Sequence, residues 1–209
     1  MQLSHAEFML GAVSPQQFPK EGLPEIAFAG RSNAGKSTLL NRLLNRKRLA
    51  RVSRTPGCTR EINFFRVDGQ WILADLPGYG YAKVPGSQRE SWNQVLDLYF
   101  AKRRELRAVI LLLDIRRGVT ELDQRMLTLL GQNGLPYVPV ASKTDKLASN
   151  PRRAALQEMN QQLAAFRGNL LAAPLACSSL SGEGFQELRQ HVMQILSPPP
   201  HQEGPCPPA

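Results

Sequence analysis

Residues 24–38 read PEIAFAGRSNAGKST. The solidly apolar core of this stretch, Ile26 to Ala29, marks a strand buried on both faces, because a half-exposed strand would alternate polar and apolar side chains. At Gly30 the pattern breaks, and Gly30 to Ser37 fulfils the spacing G-x-x-x-x-G-K-[ST]. Leucines at 39, 40, 43 and 44 then recur at helical spacing. A strand, a glycine-rich loop and a helix in that order form a phosphate cradle. Backbone N–H groups of Gly30, Arg31, Ser32, Asn33, Ala34, Gly35, Lys36, Ser37 and Thr38 surround the anion, and the helix presents its N-terminus. The Lys36 ammonium reaches the β- and γ-phosphates, and the Ser37 hydroxyl is a ligand for Mg²⁺.

Outward from this loop, apolar strands and amphipathic helices alternate. Residues 62–67 and 70–75 form two strands joined through Asp68-Gly69, a hairpin signal. A helix with Trp92, Val95, Leu96, Tyr99 and Phe100 on one face is expected to start at a capping box of Ser87 and Glu90. Strands are expected over 108–114, 135–141 and within LLAAPLACSS (170–179), the second at an edge or bulge because Pro139 cannot donate to a ladder. Helices are expected over 119–131, from a cap at Asn150 with Pro151, and over 185–196. Such alternation specifies an α/β fold, a mainly parallel sheet with one antiparallel strand and helices on both faces.

The 209 residues suit one domain, expected over 1–196, ahead of a proline-rich tail at 197–209 with nothing to bury. With 42% apolar and 21% charged residues, disordered and fibrous classes are poor fits. Three scattered cysteines, Cys58, Cys177 and Cys206, argue for a reducing compartment and against a zinc site or disulfide framework. The longest apolar run, residues 108–113, is far short of the ~18 residues of a membrane span, so a cytoplasmic protein without membrane partners is expected. A net charge of +9 points to an anionic partner.

The base bound above the phosphates is set by residues 142–145, SKTD, at the end of a strand where open α/β sheets bind ligands. Asp145 can accept hydrogen bonds from guanine N1–H and its exocyclic amine. Adenine offers no such pair and would leave a buried acceptor unpaired. Ser142 stands where an asparagine is usual and has fewer donors and acceptors. The Lys143 stem is expected over the base plane beside Thr144. Ser178-Ser179-Leu180, with Cys177 before them, follow another strand and are expected to offer a backbone N–H to guanine O6.

Asp75-Leu76-Pro77-Gly78 forms a D-x-x-G segment. Asp75 is expected to hold Mg²⁺ through a water, and the Gly78 N–H to bond the γ-phosphate. Thr59, after Gly57 and Cys58 in RTPGCTR, is the candidate to close over Mg²⁺ and the γ-phosphate, with Thr55 as runner-up. Candidate catalytic residues are thus Lys36, Thr59, Gly78 and Asn33, and candidate metal ligands are Ser37, Thr59 and Asp75.

The segments PEIAFAGRSNAGKSTLLN, RVSRTPGCTREINFF, DLPGYGYAKV and SKTDKL resemble the EngB (YihA/YsxC) family of bacterial GTPases, within the TrmE-Era-EngA-like P-loop GTPases. The resemblance covers residues 8 to 196 and is most specific at GYGYAKV. It implies a three-layer, Ras-like P-loop GTPase domain with a six-stranded sheet. It also implies GTP/GDP and Mg²⁺ as ligands, a role in large ribosomal subunit assembly, and a link to cell division and septation. Tyr79 replaces the glutamine with which many GTPases orient the attacking water, so intrinsic hydrolysis is expected to be slow. In related GTPases an asparagine at the position of Asn33 accompanies a bound K⁺. The plainer reading of Asn33 is a loop-stabilising amide, and that of Tyr79 and Tyr81 is surface packing.

Eight basic residues and no acid lie between Lys36 and Arg60, and KRRELR spans 102–107. This field is expected to bind RNA backbone in a precursor of the large ribosomal subunit, without DNA sequence specificity, the protein acting as a monomer. A P-loop phosphotransferase and a non-hydrolysing, nucleotide-gated RNA-binding module remain the alternatives from sequence.

Overall fold

The computed structural model describes residues 3, 5–46, 49, 61–80 and 86–197, with the side chains of 86–93 outside the description. A seven-stranded sheet is built from β1 (Ala6–Ala12), β2 (Glu25–Gly30), β3 (Ile62–Val67), β4 (Trp71–Asp75), β5 (Leu106–Asp114), β6 (Tyr137–Ser142) and β7 (Leu175–Cys177). Its order is β1-β3-β4-β2-β5-β6-β7. Only β3 runs against the others, pairing antiparallel with both β1 and β4. The α/β architecture with one antiparallel strand is as expected, but the sheet has seven strands where six were expected. The addition is β1, whose mixed burial and register shift between Phe8 and Leu10 hide any clean alternation.

Alternate residues of the central strands feed two cores. Ala27, Ala29, Val109, Leu111 and Leu113 face the layer of α2 (Gly86–Lys102), α3 (Glu121–Gln132) and α4 (Ser149–Gln162). Ile26, Phe28, Ile110 and Leu112 face α1 (Lys36–Leu43) and α5 (Phe185–Leu196). Each fully buried aliphatic side chain contributes about 1.5–3 kcal/mol. Both faces of the sheet are covered, which explains the unbroken apolar strands.

Local expectations meet several corrections. The hairpin is as read, with Asp68 and Gly69 both at positive φ (49° and 67°). Pro139, however, lies inside β6 opposite Leu111, with β5 and β7 on either side. Leu171 N–H bonds the Tyr137 carbonyl, so odd-numbered β6 residues face the β7 side. The missing N–H of Pro139 therefore falls just before the short ladder to β7, which starts at Val140. That strand is only Leu175–Cys177, much shorter than the apolar run suggested. α3 starts at Glu121 rather than 119, capped by Thr120 with Asp123. α4 starts at Ser149, with Ala148 as its cap instead of Asn150. Pro151 is then its third residue, tolerated because first-turn N–H groups have no intrahelical partner. The expected capping box at Ser87 and Glu90 and the tail beyond residue 197 lie outside the description.

Candidate functional site

Parallel strands β2, β4, β5 and β6 end at one edge of the sheet, and the motifs hang from those ends. The loop from Gly30 to Gly35 needs left-handed backbone at Asn33 (φ 67°) and at Gly35 (φ 95°), which precedes α1. Lys36, the first residue of α1, is nearly buried and forms an ion pair with Asp75 at the end of β4. The lysine of the phosphate loop and the acid of D-x-x-G are thereby brought side by side. Ser37 is half-buried beside Lys36, while Thr38 is exposed. A hydroxyl and a carboxylate are the hard oxygen donors that suit Mg²⁺. Ser37 and Asp75 fit a Mg²⁺ site in that chemical sense. Among the described residues no cluster of three or more His, Cys, Asp or Glu is placed to hold a metal by itself.

After Asp75 the chain folds back onto the phosphate loop. Leu76 N–H bonds the Phe28 carbonyl (3.0 Å), and the Leu76 side chain is in the core, so only its backbone faces the site. Pro77 is buried too. Tyr79 N–H bonds the Gly30 carbonyl (3.3 Å), Ser32 N–H bonds the Tyr79 carbonyl (2.9 Å), and the Ser32 hydroxyl donates to the Gly78 carbonyl (3.1 Å). A Cβ at Gly78 would lie 2.9 Å from the Ser32 backbone nitrogen, so glycine is required by this contact. Tyr79 is not surface packing. Its hydroxyl donates to Asp123 Oδ1 at 2.7 Å, and desolvation with the neighbouring carboxylate raises its pKa well above 10. Asp123 also accepts the Thr120 N–H (2.9 Å) and hydroxyl (2.6 Å), and Arg31 donates to Thr120 Oγ1 (3.3 Å). Phosphate loop, D-x-x-G segment and the start of α3 thus form one circuit.

The SKTD segment is tied to the same loop. The Ser142 hydroxyl lies 2.8 Å from the Ala34 carbonyl and 3.1 Å from that of Leu113, so it bonds within the site rather than toward a ligand. Lys143 donates to the Asn33 carbonyl and, at 3.0 Å, to Asp114 Oδ2, laying its stem along the phosphate loop. Thr144 is buried, its hydroxyl 3.2 Å from Glu183. Asp145 accepts the Ser178 hydroxyl at 2.6 Å, a bond that lowers its pKa and keeps it a carboxylate.

The turn at 178–183 is almost fully satisfied. Ser178 N–H bonds Glu183, Leu180 and Ser181 N–H bond the Ser178 hydroxyl, Gly182 N–H bonds the Ser178 carbonyl, and Glu183 N–H bonds Ser181. Among the described residues, the Ser179 N–H has no protein acceptor, consistent with its expected role toward guanine O6. Cys177 contributes no side chain to the site: it is buried against α5, and burial pushes its thiol up to about 12.

Sequence reasoning missed Asp114, Glu183 and Arg42. Asp114 holds Lys143 and Arg116, and Glu183 joins Thr144 to Arg152 on α4 (2.6 Å). Arg42 is not part of a free basic surface, because its guanidinium is bound to the 179–180 backbone. Nothing in local spacing marks these residues; only contacts across the fold do. The KRRELR segment runs from the last residue of α2 into the start of β5, at the edge opposite the phosphate loop; Lys102, Arg104 and Arg107 are exposed, whereas Arg103 is buried in an ion pair with Glu25 (2.8 Å). Gly57, Cys58, Thr59 and Thr55, with Tyr81 and most of the basic run, lie outside the described residues.

A family model described as 50S ribosome-binding GTPase matches residues 25–143. Curated relatives named probable GTP-binding protein EngB match nearly end to end. The Citrifermentans bemidjiense protein is 44% identical, over 95% of this chain and 91% of its own length. That of Oceanobacillus iheyensis is 42% identical, over 90% and 94%. The chain belongs to the EngB family of GTPases. It is a GTP-binding protein, and family membership selects GTP hydrolysis over phosphotransfer to another acceptor. Solved structures agree in fold. A probable GTP-binding protein engB superimposes with a TM-score of 0.64 at 21% identity, covering 82% of this chain and 98% of that one. Era in complex with MgGDPNP and nucleotides of 16S ribosomal RNA gives 0.67 at 22% identity, covering 85% and 58%. No helix among the described residues is long and apolar enough to cross a membrane.

Proposed function

We propose that the chain is a Mg²⁺-dependent GTP switch of the cytoplasm that hydrolyses GTP slowly and assists assembly of the large ribosomal subunit as a monomer, with a link to cell division and septation. The observation that carries the switch reading is the seating of Gly78 and Tyr79 directly on Ser32 of the phosphate loop. Any group accommodated at that junction must compete with these bonds, so occupancy by a γ-phosphate is linked to the path of the chain beyond Gly78. Ser37 and Asp75 would hold Mg²⁺ together with Thr59, and the ion would neutralise charge on the β- and γ-phosphates. Slow turnover is supported by Tyr79, whose hydroxyl is committed to Asp123 and supplies no amide to orient water. Asn33 would hold K⁺ as a substitute for an arginine.

The ribosomal assignment is supported by the description of the matching family, by the +9 charge, and by the basic run that continues past exposed Arg46 at the end of α1. Large-subunit precursors pulled down with the protein should be enriched with a non-hydrolysable GTP analogue over GDP. Equal recovery in both states would remove the switch, and no recovery in either would remove the ribosomal partner.

A further inference from the structure

We propose that Arg42, on the helix that follows the phosphate loop, is a positioning residue for guanine recognition: it sets the 178–183 turn so that the Ser179 N–H is presented to the base. The proposal rests on the reading of Asp145 and Ser179 as the guanine contacts.

The Arg42 guanidinium donates to the Ser179 carbonyl at 2.6 Å and to the Leu180 carbonyl at 3.1 Å, and lies over the Phe185 ring at 5.5 Å from its centre. A peptide unit is planar, with its C=O and N–H opposed. Drawing the Ser179 and Leu180 carbonyls toward Arg42 therefore turns the Leu180 and Ser181 N–H groups away from it. Both of those bond the buried Ser178 hydroxyl, which itself donates to Asp145. On the other side, the Ser178 carbonyl accepts the Gly182 N–H at 2.8 Å, so the Ser179 N–H, in the same peptide plane, points out of the turn. The plane carrying that N–H is held between two fixed neighbours, and Arg42 fixes one of them.

Gly182 is part of the same device. Its φ is +91°, and a Cβ there would sit 2.4 Å from an Arg42 guanidinium nitrogen. Arg189 completes the attachment, reaching the Arg42 and Leu43 carbonyls at 3.4 Å. The helix that presents its N-terminus to phosphate thus holds, one turn and a half later, the loop that reads the base. Both bonds come from one guanidinium nitrogen, Nη1, while the planar group lies over Phe185; a lysine keeps a donor but not that stacked plane.

The test is equilibrium binding of GDP, IDP, ADP and 6-thioguanosine diphosphate to the full chain, with Mg²⁺. IDP lacks the amine read by Asp145; the 6-thio nucleotide keeps N1–H and the amine and replaces only O6, by sulfur, a weaker and larger acceptor. Arg42→Ala keeps a strong helix former at an exposed site. It should lower the preference for GDP over the 6-thio nucleotide about 2- to 10-fold, no more than the worth of one hydrogen bond. Preference for GDP over IDP should stay unchanged, and Arg42→Lys should recover part of the loss. An unchanged preference for GDP over the 6-thio nucleotide would overturn the proposal. So would an equal fall in both preferences, the mark of general loosening. Equal binding of ADP and GDP by the unaltered protein would instead refute the guanine reading itself, and the proposal with it.

Discussion

Replacing Tyr79 by Phe removes one oxygen atom and tests the circuit between the phosphate loop and α3. Three donors serve the Asp123 carboxylate: the Thr120 N–H and hydroxyl on one oxygen, and the Tyr79 hydroxyl at 2.7 Å on the other. Asp123 is 2% exposed, so the oxygen left behind has little access to solvent. Hydrogen bonds to charged groups are worth about 1.5–3 kcal/mol, and here the deletion also strands a buried acceptor. For a chain of this size each kcal/mol moves Tm by about 2–4 °C. The expected loss is therefore about 3–12 °C, read by calorimetry and by urea unfolding at unchanged slope. Because phenylalanine preserves the ring, a packing explanation predicts almost no change. A double-mutant cycle with Asp123→Ala separates the pair from the Thr120 cap, and its coupling should exceed about 1 kcal/mol. A coupling near zero would show that the bond carries no energy and that α3 does not anchor the segment after Gly78.

Other outcomes follow from the same geometry. Asp145→Asn swaps one of the two acceptors for a donor and should weaken GDP binding about 5- to 150-fold, with ADP unaffected; retained guanine selectivity would refute the base assignment. Gly78→Ala places a methyl 2.9 Å from the Ser32 backbone and should destabilise by about 1–3 kcal/mol in urea unfolding, whereas wild-type stability would mean that this contact does not hold. Burial alone would raise the Asp114 pKa, but hydrogen bonds from Arg116 and Lys143 outweigh it and hold the carboxyl well below its ordinary 3.8. A depressed pKa stabilises the fold above 3.8, and the gain fades as pH falls further. The Tm deficit of Asp114→Asn should accordingly be full at pH 7 and shrink below pH ~4, and a deficit independent of pH would exclude this pair as its source. Exchanging K⁺ for Na⁺ should slow hydrolysis if Asn33 holds a cation, and equal rates would dispose of that role.

What the sequence reveals divides along contact distance. The phosphate loop, D-x-x-G and SKTD are legible because each needs particular residue types at fixed local spacing, and the strand that precedes each is unbrokenly apolar. Arg42, Asp114 and Glu183 carry no such mark. An arginine on an exposed helix face reads as solvated, yet Arg42 bonds a turn 137 residues away. Arg103 shows the reverse error, since it stands in a basic run that looks like a surface while its side chain neutralises Glu25 in the interior. β1 escaped notice because an edge strand with a register shift does not alternate, and Pro139 misled because a short neighbouring strand spares one ladder position.

These residues also explain how a site assembled from distant segments behaves as one unit. Ser142 bonds the phosphate loop, Lys143 bonds it again, Asp145 bonds Ser178, and Arg42 returns from the base loop to α1. Each bond crosses between segments that local structure alone would leave independent, and the sequence spends polar side chains on them at the one sheet edge where strand ends converge. A ligand that touches phosphate loop and base loop together therefore meets a pre-arranged pair, so less ordering entropy opposes its binding. The segment after Gly78 is attached differently, through backbone bonds to Ser32 and Gly30 and one phenol to α3. Those are the bonds with which a γ-phosphate arriving beside Ser32 would compete, so the switch proposed above stands or falls on them.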